Sequence, residues 1–193
     1  MQLRSLIITA LFAALIVAGS YIAIPLGPVP LTLQTLFVLL AGILGGKVIG
    51  LTAVAIYLVL GAFGLPVFSG GSGGFAHFFA PTGGFLIALL VVGPTVGAIV
   101  DHAFKGAKAT GKKQLLYIIL AATVGTLLMF AIGVPYLKVV LKLSWPQALA
   151  VGLFPFIPGD LVKLVATVLL GNIFALQIRQ FVTGDESDTT TDG

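Results

Sequence analysis

Cysteine is absent from this chain, which removes disulfides, thiolate nucleophiles and thiolate metal sites together. Charge is nearly absent as well: Asp, Glu, Lys and Arg make up only 8% of the residues, while 59% are apolar. A surface built from that inventory cannot face water over most of its area, so the chain reads as an integral membrane protein. Other absences narrow the chemistry. The glycine-rich run GGSGG has no following Gly-Lys-Ser/Thr and so is no phosphate loop, which leaves no visible ATPase. His77 lacks a histidine or carboxylate at ligand spacing, and His102 has only its neighbour Asp101 at the end of a span; a metal site cannot be assembled from them, and a structural or surface role is expected for both. No buried carboxylate pair and no nucleophile with its base is visible, so the chain is not expected to be an enzyme. The formal charge of +4 lies beside apolar runs. That is a topology signal, and no basic stripe of the kind that binds nucleic acid is present.

What is there is long apolar sequence. Six spans can be drawn, at roughly 6–24, 31–44, 48–65, 81–100, 115–134 and 157–178, giving an all-α polytopic membrane protein. The second is short for a hydrocarbon layer of about 30 Å, and its glycines admit a tilt or a break, so that five or seven passes stay open. A transmembrane barrel would need alternating segments, whereas these runs are continuous. The opening residues are kept as the first span and not as a cleaved signal. With the N-terminus inside, the cytoplasmic side receives Arg4, Lys47, Lys105, Lys108, Lys112, Lys113 and Arg179, and the outer side only Lys138 and Lys142, as the positive-inside rule requires. Both termini are then cytoplasmic. Residues 1–180 form the expected membrane domain, and 181–193, acidic and without apolar anchors, a disordered cytoplasmic tail.

The outer connections carry the unusual composition. PLGPVP, residues 25–30, is a short stiff apolar turn. SGGSGGFAHFF, residues 69–79, joins glycines that allow close backbone approach to aromatics that can cover an apolar ligand. The run after Pro135 has lysines four apart and a Trp-Pro break, which fits a short interfacial helix before the last span. Asp160 and Lys163 in FPFIPGDLVKL stand at the mouth of that span. Pro158 and Gly159 place Asp160 at or near a helix cap, with Lys163 one turn along the same face. Such a pair marks a ligand pocket, or else a capping aspartate with a snorkelling lysine. Thr32, Gln34 and Thr35 need polar partners at the start of the second span, whether a ligand or a neighbouring helix. Tyr21 and Trp145 fit ligand stacking or the aromatic belt. Ala10, Ala14 and Ala18 recur every fourth residue and form a ridge of small side chains, suited equally to a partner and to internal packing; Gly42, Gly45, Gly46 and Gly50 share that ambiguity.

Three motifs in order, IPLGPVPLTLQTLFVLLAGILGG, GLPVFSGGSGG with PTGGFL, and FPFIPGDLVKL, resemble the BioY family, the biotin-specific S components of energy-coupling factor (ECF) transporters. The resemblance spans nearly the whole chain from Leu6 to Ile178. It implies a six-helix S component of a prokaryotic plasma membrane that captures biotin from outside. It implies as partners a transmembrane coupling subunit and two ABC-type ATPases, with no cofactor in this chain. Carried over, it makes Asp160 and Lys163 biotin contacts, and Gly73, Gly74, Thr82 and Gly83 pocket wall or lid. Gln34 and Tyr21 join them from the shape of the first loop, and Ala10, Ala14 and Ala18 become the docking ridge. Asp160 is suited to accept from the ureido N–H groups of biotin. An assignment of Lys163 to the biotin carboxylate predicts that the methyl ester loses more affinity in the wild type than in Lys163→Met. The alternatives are an S component for another vitamin and a proton-coupled secondary transporter using Asp160 as its relay.

Overall fold

In hydrocarbon, every backbone N–H and C=O of a long apolar run must be satisfied within the segment, which makes it a helix. The computed structural model of the chain describes residues 3–104 and 111–184. Lys105, Lys108 and most of the acidic tail therefore lie outside the described residues. The helices are α1 (Leu3–Tyr21), α2 (Gln34–Ala62), α3 (Gly83–Phe104), α4 (Lys112–Val140), the short α5 (Trp145–Gly152) and α6 (Ile157–Thr183). Among the described residues five apolar helical stretches are long enough to cross a membrane, the last of them comprising α5 and α6 together.

Helix α2 occupies the place of two expected spans, 31–44 and 48–65, and it is not straight. Gly46 has φ 80° and ψ −176°, a backbone region that glycine alone enters readily. A methyl group on Gly50 would lie only 3.1 Å from Gly42 Cα, whereas residues eight apart on a straight helix stand about 12 Å apart. The chain thus folds back at Gly46 into a helical hairpin. Helix α3 closes on that hairpin through its own glycines: a methyl on Gly42 or Gly50 would come within 2.6 Å of the Gly93 carbonyl oxygen, and one on Gly97 within 2.4 Å of Lys47 N. The α2 glycines therefore serve internal packing, letting three backbones approach where water offers no hydrophobic drive.

An ion-pair clamp fixes the turn. Arg179 of α6 donates from Nη1 to Asp101 Oδ1 at 2.7 Å and from Nε to the Ile43 carbonyl at 2.9 Å. Asp101 in turn accepts from the Lys47 backbone N–H at 2.9 Å. The last carbonyls of one arm and the first amide of the next are thus both satisfied by side chains from other helices. At the same end the Arg4 guanidinium lies 5.4 Å from the Phe181 ring centroid, so the first and last described helices begin and finish together.

The opposite end differs from the sequence expectation in two details. PLGPVP is the turn of a small antiparallel hairpin, β1 (Ala23–Pro25) with β2 (Pro30–Thr32), in the register Ala23↔Thr32. Helix α4 continues beyond 134, through Pro135, to Val140. Helix α6 begins at Ile157, where the last span was expected to start, with Asp160 in its first turn near the N-cap position, which belongs to Phe156 and carries no side-chain cap. The expected interfacial helix after Pro135 is α5, closed at its start by a capping box of Ser144 and Gln147.

Candidate functional site

The site begins with the local sequence of α6. Pro158 in the first turn supplies the helical φ, and the unpaired amides around it favour a negative charge, met by Asp160. Lys163 follows one turn later and forms an ion pair with Asp160 Oδ1; both residues are only 6% exposed. The Lys163 ammonium also donates to the Thr32 carbonyl of β2 at 3.1 Å. Two of its three N–H groups are thereby used. Asp160 Oδ2, although buried, has no hydrogen-bond partner among the described residues. The pair therefore sets one unused acceptor beside one unused donor.

Both residues line a cavity of about 210 Å³. Gln34, the first residue of α2, also lines it, and its buried Nε2 meets no acceptor within hydrogen-bond geometry among the described residues. Apolar walls come from Phe85, Leu86 and Leu89 of α3, Met129 of α4, and Phe156. Phe85 and Phe156 stack with ring centroids 6.5 Å apart, and Phe130 meets both rings edge-on. A second polar contact, Thr35 Oγ1 to Met129 Sδ at 3.5 Å, ties the wall to α2. Polar groups at one side and aromatics around them are the usual make-up of a small-molecule site.

The cover is the segment between α2 and α3, which contributes Phe68, Ser69, Ser72, His77 and Thr82 to the lining. Three hydroxyls from the helices hold it by its carbonyls. Ser20 donates to Val67 O at 2.6 Å, Tyr21 to Pro66 O, and Tyr136 to Phe78 O at 2.6 Å. Within it, the ring of His77 packs 5.6 Å from that of Phe68, on the cavity side of the 3₁₀ turn Phe75–Phe79.

Of the residues singled out from sequence, Asp160, Lys163, Thr32, Gln34, Thr35 and Thr82 meet at this cavity. Tyr21, Gly73, Gly74 and Gly83 are not among its lining residues. Tyr21 is 53% exposed and braces the cover from outside. Gly73 and Gly83 let the cover fold tightly: a methyl on either would run into the carbonyl of Leu65 or Phe78. The lining residues not singled out from sequence include Phe85, Met129 and Phe156. Phe85 and Phe156 do fall inside the motifs PTGGFL and FPFIPGD, whereas Met129 sits in an apolar run with nothing to distinguish it. His77, read from sequence as structural or surface, stands at the cavity; no group of residues able to hold a metal occurs among the described residues.

Fold and cavity together describe a helical membrane protein with a candidate small-molecule site that has aliphatic and aromatic walls and holds a buried ion pair. The BioY family model matches residues 1–180. The chain is 44% identical over 179 residues to the biotin transporter BioY of Rhizobium etli, covering 89% of this chain and 92% of that protein. It is 38% identical over 168 residues to the biotin transporter BioY of Thermotoga maritima, covering 87% and 94%. Its fold matches the crystal structure at 2.1 Å of the S-component for biotin from an ECF-type ABC transporter, with a TM-score of 0.77 and 29% identity over 89% of this chain and 90% of that one. The chain belongs to the BioY family.

Proposed function

We propose that the protein captures biotin from outside a prokaryotic plasma membrane, as the substrate-specific subunit of an ATP-driven ECF transporter. The observation that carries this reading is the unused acceptor of Asp160 beside the unused donor of Lys163 in a cavity with aliphatic and aromatic walls, in a chain whose relatives are named biotin transporters. A cyclic urea presents an N–H donor and a carbonyl acceptor on adjacent positions, the complement of that couple. The Asp160–Lys163 pair is neutral as a unit, so it suits the uncharged ureido ring better than the biotin carboxylate. Gln34 and Thr82 add polar reach, and Phe85 and Phe156 bound the slot for the thiophane ring and chain. The segment with Gly73, Gly74 and Gly83 is the lid, and Tyr21 secures it at one side.

Six passes and cytoplasmic termini belong to the same proposal. The reading is supported by the turn at Gly46, which makes two crossings of α2, and by the meeting of Arg4 with Phe181 at one end, which requires an even number of crossings. Lys47, Lys112 and Arg179 gather at that end, as cytoplasmic loops do. Residues 1–180 serve as the membrane domain and 181–193 as its tail. The partners are a transmembrane coupling subunit and two ABC-type ATPases. Ala10, Ala14 and Ala18 are all exposed on α1, which favours docking over internal packing for that ridge.

Isothermal titration calorimetry on ligand-stripped protein tests the site. Asp160→Asn keeps the size but removes the charge and replaces one carboxylate oxygen by an amide donor, and the loss of a hydrogen bond to a charged group predicts biotin binding weaker by about 10- to 100-fold. Unchanged binding in that variant would overturn the site. The biotin methyl ester separates the two orientations: with the ureido ring on the pair, wild type and Lys163→Met lose the same factor on esterification. A larger loss in the wild type returns the carboxylate to Lys163.

A further inference from the structure

We infer that the groove at the end opposite the Asp160 cavity is a site for one anionic phospholipid. The groove, about 510 Å³, is cut between the second arm of α2, α3 and α4. Its floor is apolar and shallow, built from Pro94, Ala98 and Ile99 of α3. The same helix turns Gly93 and Gly97 the other way, into the α2 hairpin, so its small residues on this side leave a channel along its length. Above the groove the surface continues as exposed Ile87, Leu90 and Val91, an uninterrupted apolar path of the kind an acyl chain follows.

Apart from the Thr95 hydroxyl in its floor, the polar groups of the groove are at one end. Lys47, His102 and the hydroxyl-bearing Tyr117 line it from three different elements, and Lys113 stands one helical turn before Tyr117 on α4. Lys47 and His102 are exposed. Among the described residues the one acidic side chain nearby is Asp101, and both its oxygens are engaged, by the Arg179 guanidinium and the Lys47 backbone amide. No carboxylate meets the Lys47 ammonium among the described residues. A channel open to hydrocarbon and ending in unneutralised cations from separate helices matches a phosphodiester headgroup with its chain attached. A zwitterionic headgroup brings its own cation to the same place and fits less well. Because Lys47 directly follows Gly46, the bound lipid would brace the hairpin turn from its outer side, across from the Arg179 clamp.

This inference is independent of biotin and is tested without it. Native mass spectrometry of delipidated full-length protein is titrated with phosphatidylglycerol and, separately, with phosphatidylcholine. The expected result is a single phosphatidylglycerol adduct retained over phosphatidylcholine, with the preference reduced about fivefold in Lys47→Gln, the share of one cation near a lipid surface. Lys47→Arg keeps the preference, and Lys142→Gln, at the opposite end, leaves it unchanged. Ala98→Leu fills the floor and removes the single adduct with all charges in place. Equal retention of the two lipids, a preference that survives both Lys47→Gln and Ala98→Leu, or one that is lost equally in Lys142→Gln would overturn the site.

Discussion

Tyr136 shows how much of the cavity rests on single polar atoms. Its hydroxyl donates to the Phe78 carbonyl at 2.6 Å, and its ring packs where a methyl on Gly84 would otherwise sit, 2.3 Å from Tyr136 Cβ. Phe78 neighbours His77, a lining residue, so the bond holds the proposed lid from outside the cavity lining. Tyr136→Phe keeps the ring and deletes the bond, and a net loss of about 1 kcal/mol from the closed lid predicts faster biotin release with little change in association rate. Stopped-flow release of labelled biotin checks this. Hydrogen exchange should rise across residues 66–80 and not in α6; a uniform rise across the protein would mean general loosening and end the idea. Legibility from sequence divides at this scale along chemical lines. Asp160, Lys163 and Gln34 stand out because polar groups in an apolar run need a reason. Phe85, Met129 and Phe156 do not, because one apolar residue in an apolar helix looks like the next, and only the turn of each helix against its neighbours decides which of them meets the cavity.

Among the elements, the α2 hairpin carries the most constraint. Its turn needs Gly46 at φ 80° and ψ −176°, and a methyl there would also lie 2.7 Å from Asp101 Oδ1. Gly46→Ala therefore meets backbone strain of about 1–3 kcal/mol and disturbs the clamp, and a lowered thermal unfolding midpoint is expected. Arg179→Met should lower the midpoint as well, since it leaves the Asp101 carboxylate and the Ile43 carbonyl without their donor. The two effects should not add, because both act on one turn; additive shifts in the double variant would show that turn and clamp are separate. The sequence boundary between spans at 44 and 48 fell beside this turn, for a legible reason: Gly45, Gly46 and Lys47 interrupt the apolar run. What stayed hidden was the partner. Gly93 and Gly97 look like ordinary membrane-helix glycines until the backbones of α2 and α3 are brought together. The β1–β2 hairpin was hidden too, since three-residue strands carry no periodicity.

Taken whole, the molecule separates its surfaces by end and by face. The lid and the ion pair stand at one end, the Arg179 clamp at the other, and α1 turns opposite faces to the bundle and outward. Its inner face, with Ile8, Phe12, Ile16 and Gly19, is buried, while Ala10, Ala14 and Ala18 are exposed. A methyl ridge on the outside of a membrane protein contributes nothing to its own packing, yet it lets a second helix approach closely enough to gain contact area. The composition alone left that ridge open between partner and interior, because alanine serves both, and the exposed placement favours the partner. Ala14→Leu is the direct probe: the larger side chain holds the second backbone away without reaching the cavity. Co-purification with the coupling subunit and its ATPases should fall by at least about tenfold, the factor that corresponds to roughly 1.4 kcal/mol, while biotin titrated into the isolated variant gives the wild-type affinity. Loss of both together would mean that α1 shapes the binding site, and retention of both would move the docking face to another helix.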